Sequence, residues 1–189
     1  RSVSGILGKS EIYIHDTIEN LGFQTVPLMY LYHFNFGFPL LDKYSELQFA
    51  KTPKVSARDQ TAQNGIEHYY QYEIPQPQYQ EKVYFIDAMP NENNWVSAGL
   101  INPTINQKNG LGIIIRYNKD TLPHFTQWKM LDQGLYVTAL EPGNCNTLGR
   151  VKEREANRLE YLKPLEKKDF MIILQVCNSN KEFQKCLSA

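Results

Sequence analysis

Leu31-Tyr-His-Phe-Asn-Phe-Gly-Phe-Pro-Leu-Leu-Asp42 sets one histidine and one asparagine inside a run of aromatic and aliphatic residues. A strand of this content is expected to be buried on both faces. A buried polar group is costly without a hydrogen-bond partner, so His33 and Asn35 have either fixed core partners or a cavity to face. The first case makes His33 a structural residue. The second makes it the best acid–base candidate in the chain, because an unperturbed imidazole titrates near neutral pH.

Outward from this segment the periodicity is mostly that of strands. Upstream, Glu11 to Asn20 puts Ile12, Ile14, Asp16 and Ile18 on one face, with His15 opposite and solvent-facing. Thr25 to Phe36 is rich in aromatic and β-branched residues, and Ile66 to Ile74 alternates and carries three tyrosines. Lys82 to Ile86 is a short apolar strand before Asp87. Val96–Asn102 and Leu111–Tyr117 flank Asn109-Gly110, a hairpin signal, since type I′ turns need positive φ. Phe125–Leu131 and Tyr136–Leu140 flank the turn Asp132-Gln-Gly134, and Phe170–Val176 is a continuous apolar run suited to a core strand. Helix signals are thin: Val151–Leu162 by propensity, and Asn178–Leu187 at the end. Turn residues recur at short intervals, there is no internal repeat, and one β domain, a sandwich or barrel over residues 1–189, is expected.

Composition excludes several classes. Twenty basic and twenty acidic residues cancel, which leaves no basic field for nucleic acid or an anionic membrane. No apolar run has the length to span a bilayer. Cys145, Cys177 and Cys186 are too few and too irregular for a disulfide framework or a zinc signature. Reduced thiols in a cytoplasmic protein are the simplest reading, with a Cys177–Cys186 bridge as the alternative. The chain begins at Arg1 without Met or the pattern of a signal peptide, which reads as a fragment or a processed product.

The chemistry-bearing residues are few. His15, His33, His68 and His124 show no metal-ligand spacing, and His124 reads as a loop residue. His68 lies beside Tyr69 and Tyr70 and would line a cleft. Glu141 closes the apolar stretch Tyr136–Leu140 and precedes Pro142, a position at a strand end or cleft rim. Desolvation there would raise its pKa and suit it to base work. Trp128 is the aromatic residue to place near a ligand, although aromatics also simply fill β cores. Arg58 and Arg116 would suit an acidic ligand, with a surface role as the plainer reading.

Three stretches together carry a resemblance. Asn20-Leu-Gly-Phe-Gln-Thr-Val-Pro-Leu-Met-Tyr-Leu-Tyr-His-Phe-Asn-Phe-Gly-Phe-Pro-Leu-Leu-Asp42 is one. Gln127-Trp-Lys-Met130 with Tyr136-Val-Thr-Ala-Leu-Glu-Pro-Gly-Asn144 and Gly149-Arg150 is the second, and Leu159 to Val176 is the third. The chain resembles the galactose mutarotase-like, aldose 1-epimerase-related family of unknown function (DUF4432-type). The resemblance implies an all-β galactose mutarotase-like supersandwich, of which this chain is the C-terminal portion and therefore incomplete. It implies His33 as the acid that protonates a sugar ring oxygen and Glu141 as the base at the anomeric hydroxyl. Asn35, Asp87, Trp128 and His68 would then contact the sugar. No cofactor and no metal are needed, and the partner is a monosaccharide or sugar derivative.

The departures are equally specific. Mutarotases draw an arginine and a further histidine from the upstream part of their sandwich, which this chain would lack. The resemblance implies a His-Asp pair where Ile86 precedes Asp87. An incomplete sheet leaves open edges, which a homodimer or an upstream segment would cover. Comparison with the family also turns Lys152–Leu162 from a helix into a turn and strand. A non-catalytic carbohydrate-binding module and an inactive fragment of a larger sandwich stand as alternatives to the enzyme.

Overall fold

Alternating apolar residues build two packed antiparallel sheets in the computed structural model, which describes residues 1–189. In chain order the strands are β1 (Ser2–Gly5), β2 (Glu11–Glu19), β3 (Val26–Leu28), β4 (Phe34–Phe36), β5 (Glu46–Phe49), β6 (Lys54–Ala57), β7 (Lys82–Asp87), β8 (Trp95–Asn102), β9 (Leu111–Asn118), β10 (His124–Leu131), β11 (Tyr136–Gly143), β12 (Glu160–Leu162) and β13 (Lys167–Cys177). Short helices α1 (Gln60–Gln63), α2 (Arg150–Glu155) and α3 (Asn180–Leu187) interrupt them. One sheet runs β1-β2-β13-β9-β8-β5, the other β4-β11-β10-β7-β6, and β12 pairs with β3 apart from both. No helix is long and apolar enough to cross a membrane.

The core lies between the two large sheets. Phe170, Ile172, Ile115, Tyr117 and Val96 from one meet Phe125, Leu140, Tyr84 and Ile86 from the other. Each such side chain contributes roughly 1.5–3 kcal/mol when removed from water. The inner face of β10 also carries two polar residues, Gln127 and Lys129, both buried. Gln127 Nε2 donates to the Tyr69 carbonyl and to Tyr72 Oη. Lys129 Nζ donates to the carbonyls of Gln71 and Tyr69, at 2.5 and 3.4 Å. Desolvation first, and the neighbouring Lys82 charge second, push the Lys129 ammonium down to about 7 against the smaller pull of Glu73.

These two side chains explain the largest departure from the alternation. Ile66–Ile74 is no strand: Ile66–His68 is a 3₁₀ turn, and Gln71 makes only an isolated bridge to Glu46. The tyrosines enter the core from a loop. The carbonyls of Tyr69 and Gln71 take their hydrogen bonds from the side chains of Gln127 and Lys129, while that of Tyr70 takes the Leu47 N–H of β5.

Other expectations need smaller corrections. Thr25–Phe36 splits into β3, a single bridge at Leu31 and β4, so the Leu31–Asp42 segment is not a strand buried on both faces. Residues 150–155 are helical after all, as propensity indicates, and only Glu160–Leu162 pairs as a strand. Buried Glu153, held by Arg158 at 2.9 and 3.0 Å, ties that helix down. His124 opens β10 rather than lying in a loop. The β8–β9 hairpin forms, but through the longer loop Pro103–Gly110, with Asn106, Gln107 and Lys108 all at positive φ. The terminal helix is present: Ser179 caps α3, and Phe183 packs on β8 and β9 where Gly99 and Gly112 leave room for its ring. All three cysteines are free.

Candidate functional site

The register of β10 and β11 sets the site. Thr126 pairs with Glu141 and Trp128 with Ala139, so the residues alternating with Gln127 and Lys129 point away from the opposite sheet. On the other side of β11, Ala139 pairs with Asn35 and Leu140 with Phe34. His33 thereby comes beside Glu141. Strand β11 runs through Pro142 to Gly143, beyond the strand end expected at Glu141. Beyond β4, its neighbour is the Leu31 bridge, and Tyr32 N–H donates to the Pro142 carbonyl. A side chain on Gly143 would come within 2.6 Å of Leu31 Cδ1, so the bare glycine is what lets Leu31 close over the strand.

On this face lies a cavity of about 610 Å³. Leu31, Val83, Trp128, Leu135 and Val137 give it apolar walls. His33, Asn35, Arg58, Thr126, Glu141 and Thr147 supply polar groups. Glu141 and His33 meet at its floor, with His33 Nε2 3.1 Å from Glu141 Oε1. The Glu141 side chain is 3% exposed and that of His33 47%. Desolvation pushes the Glu141 carboxyl up to about 7. A carboxyl there is divided between acid and base forms at neutral pH, which suits proton transfer.

The indole of Trp128 lies 6.1 Å from the His33 ring, centroid to centroid. Its N–H donates to Glu81 Oε2 at 2.7 Å, which fixes the ring against the cavity. The other Glu81 oxygen takes Arg58 Nη2 at 2.8 Å, while Arg58 Nε donates to Asp59 Oδ2 at 2.8 Å. The indole N–H first, and Arg58 second, hold the Glu81 carboxyl below its usual range. Thr126 Oγ1 is buried beneath the cavity with no hydrogen-bond partner.

Of the sugar-site residues read from the sequence, the fold brings together His33, Asn35, Trp128 and Glu141. It does not bring Asp87 or His68. Asp87 is exposed, binds Lys119 Nζ at 2.6 Å, and lines a neighbouring cavity of about 340 Å³ with Lys54 and His124. His68 sits exposed on the 3₁₀ turn. The two were placed by their aromatic surroundings and by resemblance; the register of β7 carries Asp87 elsewhere, and the 3₁₀ turn carries His68 elsewhere. Reading the sequence missed Thr126, Glu81 and the aliphatic walls. The alternation of Thr126 and Trp128 was the available signal, but it does not say which face is open. No cluster of His, Cys, Asp and Glu is arranged to hold a metal ion.

The profile of a family described as "Domain of unknown function (DUF4432)" matches residues 1–176. Among solved structures, the chain is similar to a Klebsiella pneumoniae protein named as a proposed aldose 1-epimerase. Identity is 23% and the TM-score 0.88, over 98% of this chain and 47% of that one. It is also similar to a galactose mutarotase-like protein from Clostridium acetobutylicum (14% identity, TM-score 0.58, 89% and 53% covered). A galactose mutarotase related enzyme from Lactobacillus acidophilus is comparable (11% identity, TM-score 0.59, 92% and 59% covered). At these identities the likeness is one of fold, the galactose mutarotase-like β-sandwich. The chain spans about half the length of these structures. No curated protein matches it.

Proposed function

The chain belongs to the DUF4432 family, and we propose that it interconverts the anomers of an aldose by acid–base opening and closing of the sugar ring. The observation that carries this reading is the contact of buried Glu141 with half-exposed His33 on the floor of an open cavity. The two oxygens of a hemiacetal share one carbon. An acid and a base that serve them must therefore lie close together, as these two do.

Protonated His33 gives its proton to the ring oxygen while the Glu141 carboxylate takes the proton of the anomeric hydroxyl. The bond from the anomeric carbon to the ring oxygen breaks, and an open-chain aldehyde remains. Rotation about the bond between C1 and C2 presents the other carbonyl face. On closure the C5 hydroxyl returns its proton to His33, Glu141 reprotonates the carbonyl oxygen, and both residues recover their starting forms. Trp128 offers an apolar face to the ring C–H groups, and Asn35 a donor and an acceptor to its hydroxyls.

The test is anomer exchange, followed by NMR magnetisation transfer or polarimetry across a panel of aldoses. Catalysed exchange is expected, with a rate that climbs through pH of about 7 as Glu141 ionises. His33→Gln should slow it by about 10²-fold. No exchange above background with any aldose would refute the reading. Sugar binding without exchange would turn it into that of a carbohydrate-binding module.

A further inference from the structure

Resting on the reading above, we infer that the cavity selects an uncharged aldose, and that Glu81 and Asp59 are the residues that exclude anionic sugars. Arg58 is the single Lys or Arg side chain among the residues lining the cavity. Taken alone it would invite a uronate or a sugar phosphate, because a guanidinium matches carboxylate and phosphate geometry. It is already engaged. Its Nε meets Asp59 and its Nη2 meets Glu81, each at 2.8 Å. Two carboxylates against one guanidinium leave this wall with a formal charge of −1.

The rest of the lining offers an anion no unpaired cation, because His33, when protonated, faces Glu141 at 3.1 Å. Glu141 adds negative charge whenever it is ionised. Asn35, Thr126 and Thr147 are neutral, and Leu31, Val83, Leu135 and Val137 are aliphatic. Lys54 lines the neighbouring cavity instead. A negatively charged sugar would lose hydration among apolar walls and gain no free cation. A neutral ring gives up less and keeps the Trp128 face. Glu81 therefore has two tasks: it fixes the indole through one oxygen and cancels Arg58 through the other. This is discrimination by an unfavourable element built against the competitor.

The test uses matched sugars that differ at one carbon: glucose and glucuronate, galactose and galacturonate, mannose and mannuronate. Anomer exchange and dissociation constants are both measured by NMR. The unsubstituted protein should favour the neutral member of the pair by about tenfold or more. Glu81→Gln keeps an acceptor for the indole N–H, and Asp59→Asn keeps the N-cap that receives the Ala62 N–H. Each should raise the uronate-to-neutral ratio about fivefold, because both carboxylates are partly exposed and screened. Adding Arg58→Gln to Glu81→Gln should cancel the gain, which a merely structural role for Glu81 would not predict. A native preference for the uronate, an unmoved ratio in both variants, or a gain that survives Arg58→Gln overturns the inference. Selective binding of neutral sugars without exchange supports it while removing the catalytic reading. Binding of none of these sugars overturns both.

Discussion

The two faces of β10 and β11 carry the same perturbation with opposite meanings. On the inner face, desolvation draws the Lys129 ammonium down to about 7. On the outer face, desolvation drives the Glu141 carboxyl up to about 7. Both groups titrate at neutral pH for one physical reason, the loss of water around a charge. Lys129 spends its donors on the carbonyls of Tyr69 and Gln71 under a closed core, where no solute reaches it. Glu141 opens onto a cavity and touches an imidazole. A shifted pKa therefore points to function only where it coincides with access and a proton partner.

The sharpest way to break this contrast is to neutralise each group in turn. Glu141→Gln should lower anomer exchange by about 10³-fold, read by NMR with any aldose the protein turns over. It should also stabilise the fold by about 1–2 kcal/mol at pH 8. The sign follows from the raised pKa. Between about 4.5 and 7 the folded state retains a proton that the unfolded state releases, so stability falls as pH rises through this window. The advantage of the glutamine should appear across it, hold above it and vanish below it. Denaturant titrations at pH 4 and pH 8 measure this directly.

Lys129→Met should act on stability, with exchange changed only through folding. It leaves the Gln71 carbonyl unpartnered, while that of Tyr69 keeps its bond from Gln127, at a cost of about 1–2 kcal/mol. Here the native pKa is depressed, so between about 7 and the ordinary lysine value the unfolded state binds the extra proton. Stability contributed at this site rises with pH over that range. The damage done by the methionine should thus be greater at pH 9 than at pH 6, the reverse of the Glu141 profile. Parallel profiles for the two variants would dissolve the distinction between the faces.

Smaller changes sharpen it. Trp128→Phe removes the N–H that Glu81 receives and should weaken sugar binding by about three- to tenfold, read as a KM or Kd change with little change in kcat. Thr126→Val exchanges a buried hydroxyl that has no partner for a methyl of similar shape. It should raise stability by about 0.5–1 kcal/mol in thermal unfolding.

Parts of the fold and the site were legible in the residues. The apolar runs of β8, β9, β10, β11 and β13, and the β8–β9 and β10–β11 turns, show directly, because alternation and Asn/Gly punctuation are local properties. His33 and Glu141 were identifiable as a polar pair in apolar settings, and resemblance supplied the reason to join them. The tyrosine-rich Ile66–Ile74 misled. It alternates like a strand, yet the carbonyls of Tyr69 and Gln71 find partners in side chains of β10, a segment far away in the chain. Asp87 and His68 lie away from the cavity, since a residue type and its sequence neighbours do not say which face of a strand, or which loop, will carry it.

By itself the sequence determined a β protein with a neutral charge balance, and it marked out an imidazole and a carboxylate in dry surroundings. Those conclusions need only composition and short-range periodicity. Only the tertiary structure decided that β4 lies against β11, so that His33 stands 3.1 Å from Glu141. It alone decided that Lys129 faces inward while Trp128 faces the cavity, and that Arg58 is answered by Asp59 and Glu81. Strand register and the pairing of distant segments fix which side chains meet, and a slip of one residue would turn each of them to the other face.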